Sequence, residues 1–140
     1  MNTQKYPTWL VPLDIAKKLK EIGFKEKCLC YWHEHFHRIE CSTDDEERLC
    51  PEYYDYNTDE STTSLPTWEQ VFEWFRSKGY HSTLHTYSVM LDNVEEFRFY
   101  YEINSEFDYI ADTEEYYKTY EEAQKECLKA LIQTYKTMKK

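Results

Sequence analysis

Glycine occurs only twice in 140 residues, and the loops that cradle phosphates go with it: the chain has no GxGxxG, no GxxxxGK[ST] and no GxSxG. Basic charge is scarce as well. Seventeen lysines and arginines stand against 27 acidic residues, a formal net charge of −10. With a pI near 5.0 the chain lacks the basic footprint that phosphate backbones require, so general nucleic acid binding is not expected. No apolar run reaches the ~20 residues of a membrane span. The opening stretch, MNTQKYPTWLVPLDIAKK, lacks the charged-then-apolar order of a secretory signal, which leads to the expectation of a cytoplasmic protein without a membrane partner. Thiols stay reduced in that compartment, and the odd total of five cysteines argues against a complete disulfide framework.

Aromatic side chains are abundant. They make up 18% of the chain, with 14 tyrosines, a composition suited to packed sheets and adhesive surfaces. Both glycines fall where helices should stop. VPLDIAKKLKEIGF sets Ile15, Ala16, Leu19 and Ile22 at helical spacing and ends on Gly23 with Phe24 behind it. LPTWEQVFEWFRSKGY repeats the scheme, with Thr67 and Gln70 as a capping box and Gly79 as the stop. The tripeptide Pro-Thr-Trp precedes both helices, at residues 7–9 and 66–68. A β-prone stretch follows each helix, KCLCYWH and HSTLHTYSVML. EFRFYYEI then alternates, with Phe97, Phe99, Tyr101 and Ile103 pointing one way and Arg98, Tyr100 and Glu102 the other, after a turn at Asp92-Asn93. A short strand in FDYIA and a long helix opened by Thr119 and Glu122 complete the chain. The expectation is one α+β domain over 1–140, in the order α-β-α-β-β-β-α: an antiparallel sheet of about four strands with three helices mainly on one face. Residues 41–65, acidic and tyrosine-rich without apolar periodicity, read as a long, partly ordered loop.

The densest chemistry lies in KCLCYWHEHFHRIEC, residues 27–41, which holds three of the cysteines and three of the five histidines. A zinc site needs four ligands converging on the ion, and Cys28, Cys30, His33, His35, His37, Cys41 and Cys50 are the candidates. On a single strand the thiols of Cys28 and Cys30 share a face with Trp32, and the histidines decorate the other, so the two ligand types point apart. A turn near Glu34 would bring Cys30, His35 and Cys41 together instead. The spacing C-x-C-x2-H-x-H-x-H-x3-C matches none of the usual zinc patterns, and no nucleophile signature surrounds any cysteine. Cys127 reads as core.

The segments IAKKLKEIGF, PTWEQVFEWFRSKGY and YYKTYEEAQKECLKALI, about a third of the chain, resemble a group of short proteins from gut anaerobes often linked with phage or other mobile elements. The resemblance implies kinship and carries no assigned activity.

Three functions are weighed. A module that binds another protein is favoured, with Tyr53, Tyr54, Tyr56, Tyr116 and Tyr117 as anchors. The alternatives are a metal-binding protein using the Cys/His cluster, and an acidic nucleic acid mimic that fills a host enzyme's basic groove with a line of carboxylates. The partner's identity and the oligomeric state are left open by the sequence.

Overall fold

The computed structural model describes residues 6–41, 55–105, 109–112 and 116–138. The architecture is mixed α+β with antiparallel sheets, and the chain divides into two compact units, 1–71 and 72–140.

The first unit opens with α1, Leu13–Glu21, which buries Ile15, Ala16 and Leu19 completely. Its end is made by Gly23 at φ 93°: the Gly23 amide bonds to the Lys20 carbonyl at 3.2 Å and the Phe24 amide to that of Leu19 at 3.0 Å. This pair of bonds satisfies the last helical carbonyls and drives Phe24 into the core. The sheet of this unit runs β2-β1-β3, from strands β1 (Cys30–His33), β2 (Arg38–Cys41) and β3 (Thr62–Leu65), all antiparallel. Ahead of β3, a 3-10 turn at Tyr56–Thr58 is tied down by side chains. Ser64 Oγ accepts from the Tyr56 amide at 2.9 Å, Asn57 Oδ1 accepts from the Ser64 amide at 2.9 Å, and Thr62 Oγ1 donates to the Tyr56 carbonyl at 2.7 Å.

The repeated Pro-Thr-Trp acquires a structural meaning in this unit. Leu10 and Thr67 form an antiparallel bridge, the Val11 amide bonds to the Pro66 carbonyl at 3.0 Å, and Trp68 Nε1 donates to the Thr8 carbonyl at 2.9 Å. The two copies lie side by side. Thr67 and Gln70 close the capping box reciprocally, at 3.2 and 2.9 Å, and start α2, Trp68–Ser77.

The second unit holds strands β4 (Tyr80–Leu91), β5 (Val94–Ser105) and β6 (Tyr109–Asp112) in the order β4-β5-β6, with α3 (Tyr120–Met138) against β5 and β4. Asp92 and Asn93, at φ 50° and 65°, make the two-residue turn in which both central residues are left-handed, the hand that matches the twist of the strands. Its core comprises Phe72, Trp74, Phe75 and Ile103 with the inner stripe of α3: Ala123, Cys127, Leu128, Leu131, Ile132 and Tyr135. Burial pushes the Cys127 thiol up to about 12, in keeping with its place in the core.

The α+β class, the three helices and the antiparallel pairing are as expected, and two details differ. There are two three-stranded sheets where one of about four strands was expected, because residues 28–41 form a hairpin that turns within HEHFH instead of one continuous strand. The segment read as a loop over 41–65 contains β3, whose Thr63, Ser64 and Leu65 are buried. Its polar side chains conceal the strand from a search for apolar alternation, and hydrogen bonds to the 3-10 turn offset the burial of Ser64. The rest of that loop, 42–54, lies outside the described residues.

Candidate interaction surface

The turn inside HEHFH brings cysteine to cysteine. Cys30 and Cys41 face each other across β1 and β2 with Cα atoms 4.0 Å apart and are joined by a disulfide, so neither is a free thiolate, and the expectation of reduced thiols is corrected at this pair. Cys28 is buried just before β1; burial pushes its thiol up to about 12, and its Sγ donates to the Glu26 carbonyl at 3.6 Å. The His33 and His35 rings stay near each other, with centres 5.8 Å apart. His33 Nδ1 accepts from the His35 amide at 3.2 Å and its ring lies 4.5 Å from Phe36, whereas His37, at φ 46°, turns to Trp32 with ring centres 6.1 Å apart. Arg38 covers the outer face of Phe36 at 4.9 Å. Among the described residues no three His, Cys, Asp or Glu side chains are grouped to hold a metal ion, and Cys50 lies outside those residues.

The tyrosines named from sequence also divide. Tyr56 stacks on Tyr31 at 4.1 Å and its backbone anchors β3, so it serves the fold of the first unit. The Tyr31 hydroxyl donates to Glu40, which in turn accepts from Arg38 Nε at 2.7 Å. That bond to Glu40 raises Tyr31 to about 12 and, with Arg38, holds Glu40 below the usual carboxylate range. Tyr53 and Tyr54 lie outside the described residues. Tyr117 pairs its backbone with Phe99 through two 2.9 Å hydrogen bonds, which leaves its neighbour Tyr116 59% exposed.

Tyr116 joins a cluster on the β4–β5 hairpin. Directly opposed residues share a face of an antiparallel pair, so His85 with Tyr100, and Tyr87 with Arg98, lie on one side, while Ser82 with Ile103 and Thr86 with Phe99 lie on the other. The second side carries the buried Ile103 and meets α3, where Phe99 approaches Tyr120 at 6.1 Å. On the first side the His85 and Tyr100 rings stack at 4.6 Å, Tyr87 meets Tyr116 edge-on at 5.1 Å, and Tyr100 meets Tyr116 at 5.7 Å. Charge borders these rings. Arg98 bonds Glu96 at 2.7 Å, and Glu102 stands 3.6 Å from His85 Nε2. Further out, Met90, Leu91, Val94 and Phe97 are each about half exposed or more. The hairpin's carboxylates do not form a line: Glu96 and Glu102 sit on the tyrosine side and Glu95 on the other.

Tyr87, Tyr100 and His85 are not among the anchors named from sequence, although the signal was present. Once Asp92-Asn93 is taken as a two-residue turn, counting back along both strands sets Tyr100 opposite His85.

A groove of about 250 Å³ in the first unit, lined by Trp9, Leu10, Leu29, Leu65, Thr67 and Gln70, offers less. It falls below the ~300 Å³ at which small-molecule sites begin. Its polar groups are already engaged, Thr67 and Gln70 with each other and Gln70 Nε2 with the Lys27 carbonyl at 3.0 Å. Among the described residues no helix is long and apolar enough to cross a membrane. Comparison with protein-family profiles, curated proteins and solved structures yields no match to this chain.

Proposed function

We propose that the protein is a binding module that presents the tyrosine side of the β4–β5 hairpin, with Tyr116, to another protein. The observation that carries this reading is the cluster of half-buried Tyr87, Tyr100 and His85 with the exposed Tyr116, held by twelve paired residues on each strand. Tyrosines fixed on a preformed ladder bring large contact area at little entropic cost, which is why they concentrate in interfaces. Glu96 and Glu102 at the border, in a chain of net charge −10, favour a partner segment that is apolar in the middle and basic at its edge.

Cross-linking and affinity capture in the native host should be run with the wild-type chain beside a Tyr87→Ala/Tyr116→Ala variant of unchanged circular dichroism. A protein held by the first and lost by the second supports the reading, and identical captures from both overturn it. The expectation of a cytoplasmic setting has its own test, and the Cys30–Cys41 disulfide weighs against it, because a reducing cytoplasm would keep the pair as thiols. Thiol alkylation in intact cells that finds the pair bonded would move the protein's working compartment to an oxidising one.

A further inference from the structure

Among the described residues the outer edge of β4 has none of the usual protection. Strand edges expose unpaired amides and carbonyls, and proteins guard them with lysine, proline, bulges, brevity or a covering segment. β4 ends its sheet, and among the described residues no strand pairs with its outer side. Its ladder to β5 runs without a register shift from Tyr80↔Ser105 to Leu91↔Val94, so the free edge is straight over twelve residues, about 40 Å. The sequence of that edge, YHSTLHTYSVML, contains no Asp, Glu, Lys, Arg, Pro or Gly, in a chain of which 31% is charged. The other edge of the same sheet is guarded in the usual ways: β6 is only four residues long and meets β5 across a register shift at Ile103/Asn104.

We infer that β4 pairs with β4 of a second copy of this chain, antiparallel about a two-fold axis, joining two three-stranded sheets into one of six. The inference concerns the edge of the hairpin rather than its face, and it stands whether or not the tyrosine side takes another protein.

Charge argues for a second copy over an unrelated strand. An isologous pairing sets a strand against itself, so any formal charge near its middle would meet its own image, and like charges directly opposed are destabilising. A strand free of charge escapes that penalty, whereas β5 alone carries Glu95, Glu96, Arg98 and Glu102. Parity fits as well. About an axis perpendicular to the sheet, side chains of one face must meet side chains of the same face, so the axis passes through a residue. With Thr86 on the axis, Thr86 meets Thr86, a favourable cross-strand pair, and His85 of each copy meets Tyr87 of the other. That contact would join the two His85–Tyr100–Tyr87 clusters into one band across the dimer. A ladder of this length supplies roughly ten hydrogen bonds, as many as a typical stable interface.

Sedimentation velocity and light scattering on untagged protein over a wide concentration range test the inference, beside Thr86→Lys. The Thr86 side chain is exposed, so the lysine disturbs no packing and sets two like charges together on the axis. The wild-type chain is expected at twice its 17.2 kDa and the variant at that mass, with unchanged circular dichroism. Amide exchange along β4 should slow as the wild-type concentration rises and stay constant in the variant. Should Thr86→Lys fail to fold, Ser88→Lys, also exposed, replaces it. A wild-type monomer up to near-millimolar protein overturns the inference, whether or not another protein binds that edge. So does a dimer that both lysine variants leave intact.

Discussion

The molecule contains two hairpins built by different means. The first, β1–β2, has four residues per strand, a four-residue turn and a disulfide between the residues at its open end. The second, β4–β5, has twelve per strand, a two-residue turn and no covalent link. A one-residue slip would move every side chain to the wrong face, so each must secure its register. In the short hairpin Cys30–Cys41 does so, with β3 on the other flank of β1 and Cys30 and Ile39 in the core. In the long one the work falls to the dihedrals of Asp92-Asn93 and to the number of rungs, since Ile103 is the sole residue buried within its two strands. A short ladder relies on core and covalent bond; a long one can leave most of its surface in contact with solvent.

The comparison breaks most severely at Ile103. Ile103→Ala empties the long hairpin's one completely buried position and should cost roughly 3 to 4 kcal/mol, read from the denaturant midpoint of the second unit. The equivalent blow to the short hairpin is loss of its staple. The disulfide closes a separation of 11 residues, and Cys30→Ala/Cys41→Ala should cost about 3 kcal/mol by the chain-entropy relation. Reductant should lower the stability of the wild-type protein and leave that of the double variant unchanged. Amide exchange should show the loss in β1 and β2 and spare β4 and β5.

The smallest effect is the pH dependence contributed by the Tyr31–Glu40 pair of the short hairpin. Glu40 has its folded pKa depressed by Tyr31 and Arg38, so its contribution is present above the unfolded carboxylate range and fades as pH falls through the lower folded value. Tyr31 is raised from 10.0 to about 12, so its contribution is full below 10.0 and fades as pH climbs toward 12. Stability from this pair should be flat between those limits and decline on both sides. Glu40→Gln should flatten the acid limb, as followed by urea titrations at a series of pH values.

Much of the fold could be read before any coordinates. All three helices are where their signals set them, and the hydrogen bonds at Thr67, Gln70, Gly23 and Thr119 are the ones those residue types predict. The alternation of β5 and the turn at Asp92-Asn93 were equally visible. Of the residues proposed as partner anchors, Tyr116 alone among those described stands out to solvent, since Tyr56 stacks within the first unit and Tyr117 is engaged with Phe99 and Tyr101. β3 was hidden because Thr62 and Ser64 are tied to the 3-10 turn by hydrogen bonds rather than through an apolar face.

By itself the sequence determined the elements whose signals are local: a capping box acts within three residues, a glycine stop within five, and a two-residue turn sets the pairing of the strands it joins. What only the tertiary structure decided was which distant groups meet. Cys30 finds Cys41, Thr63 and Ser64 become core, and Tyr116 reaches Tyr87 and Tyr100 because Tyr117 is pinned beside Phe99. The physical reason is the same in each case. A strand's hydrogen bonds and a side chain's burial are completed by residues far away along the chain, so their partners become definite only when the sheet has formed.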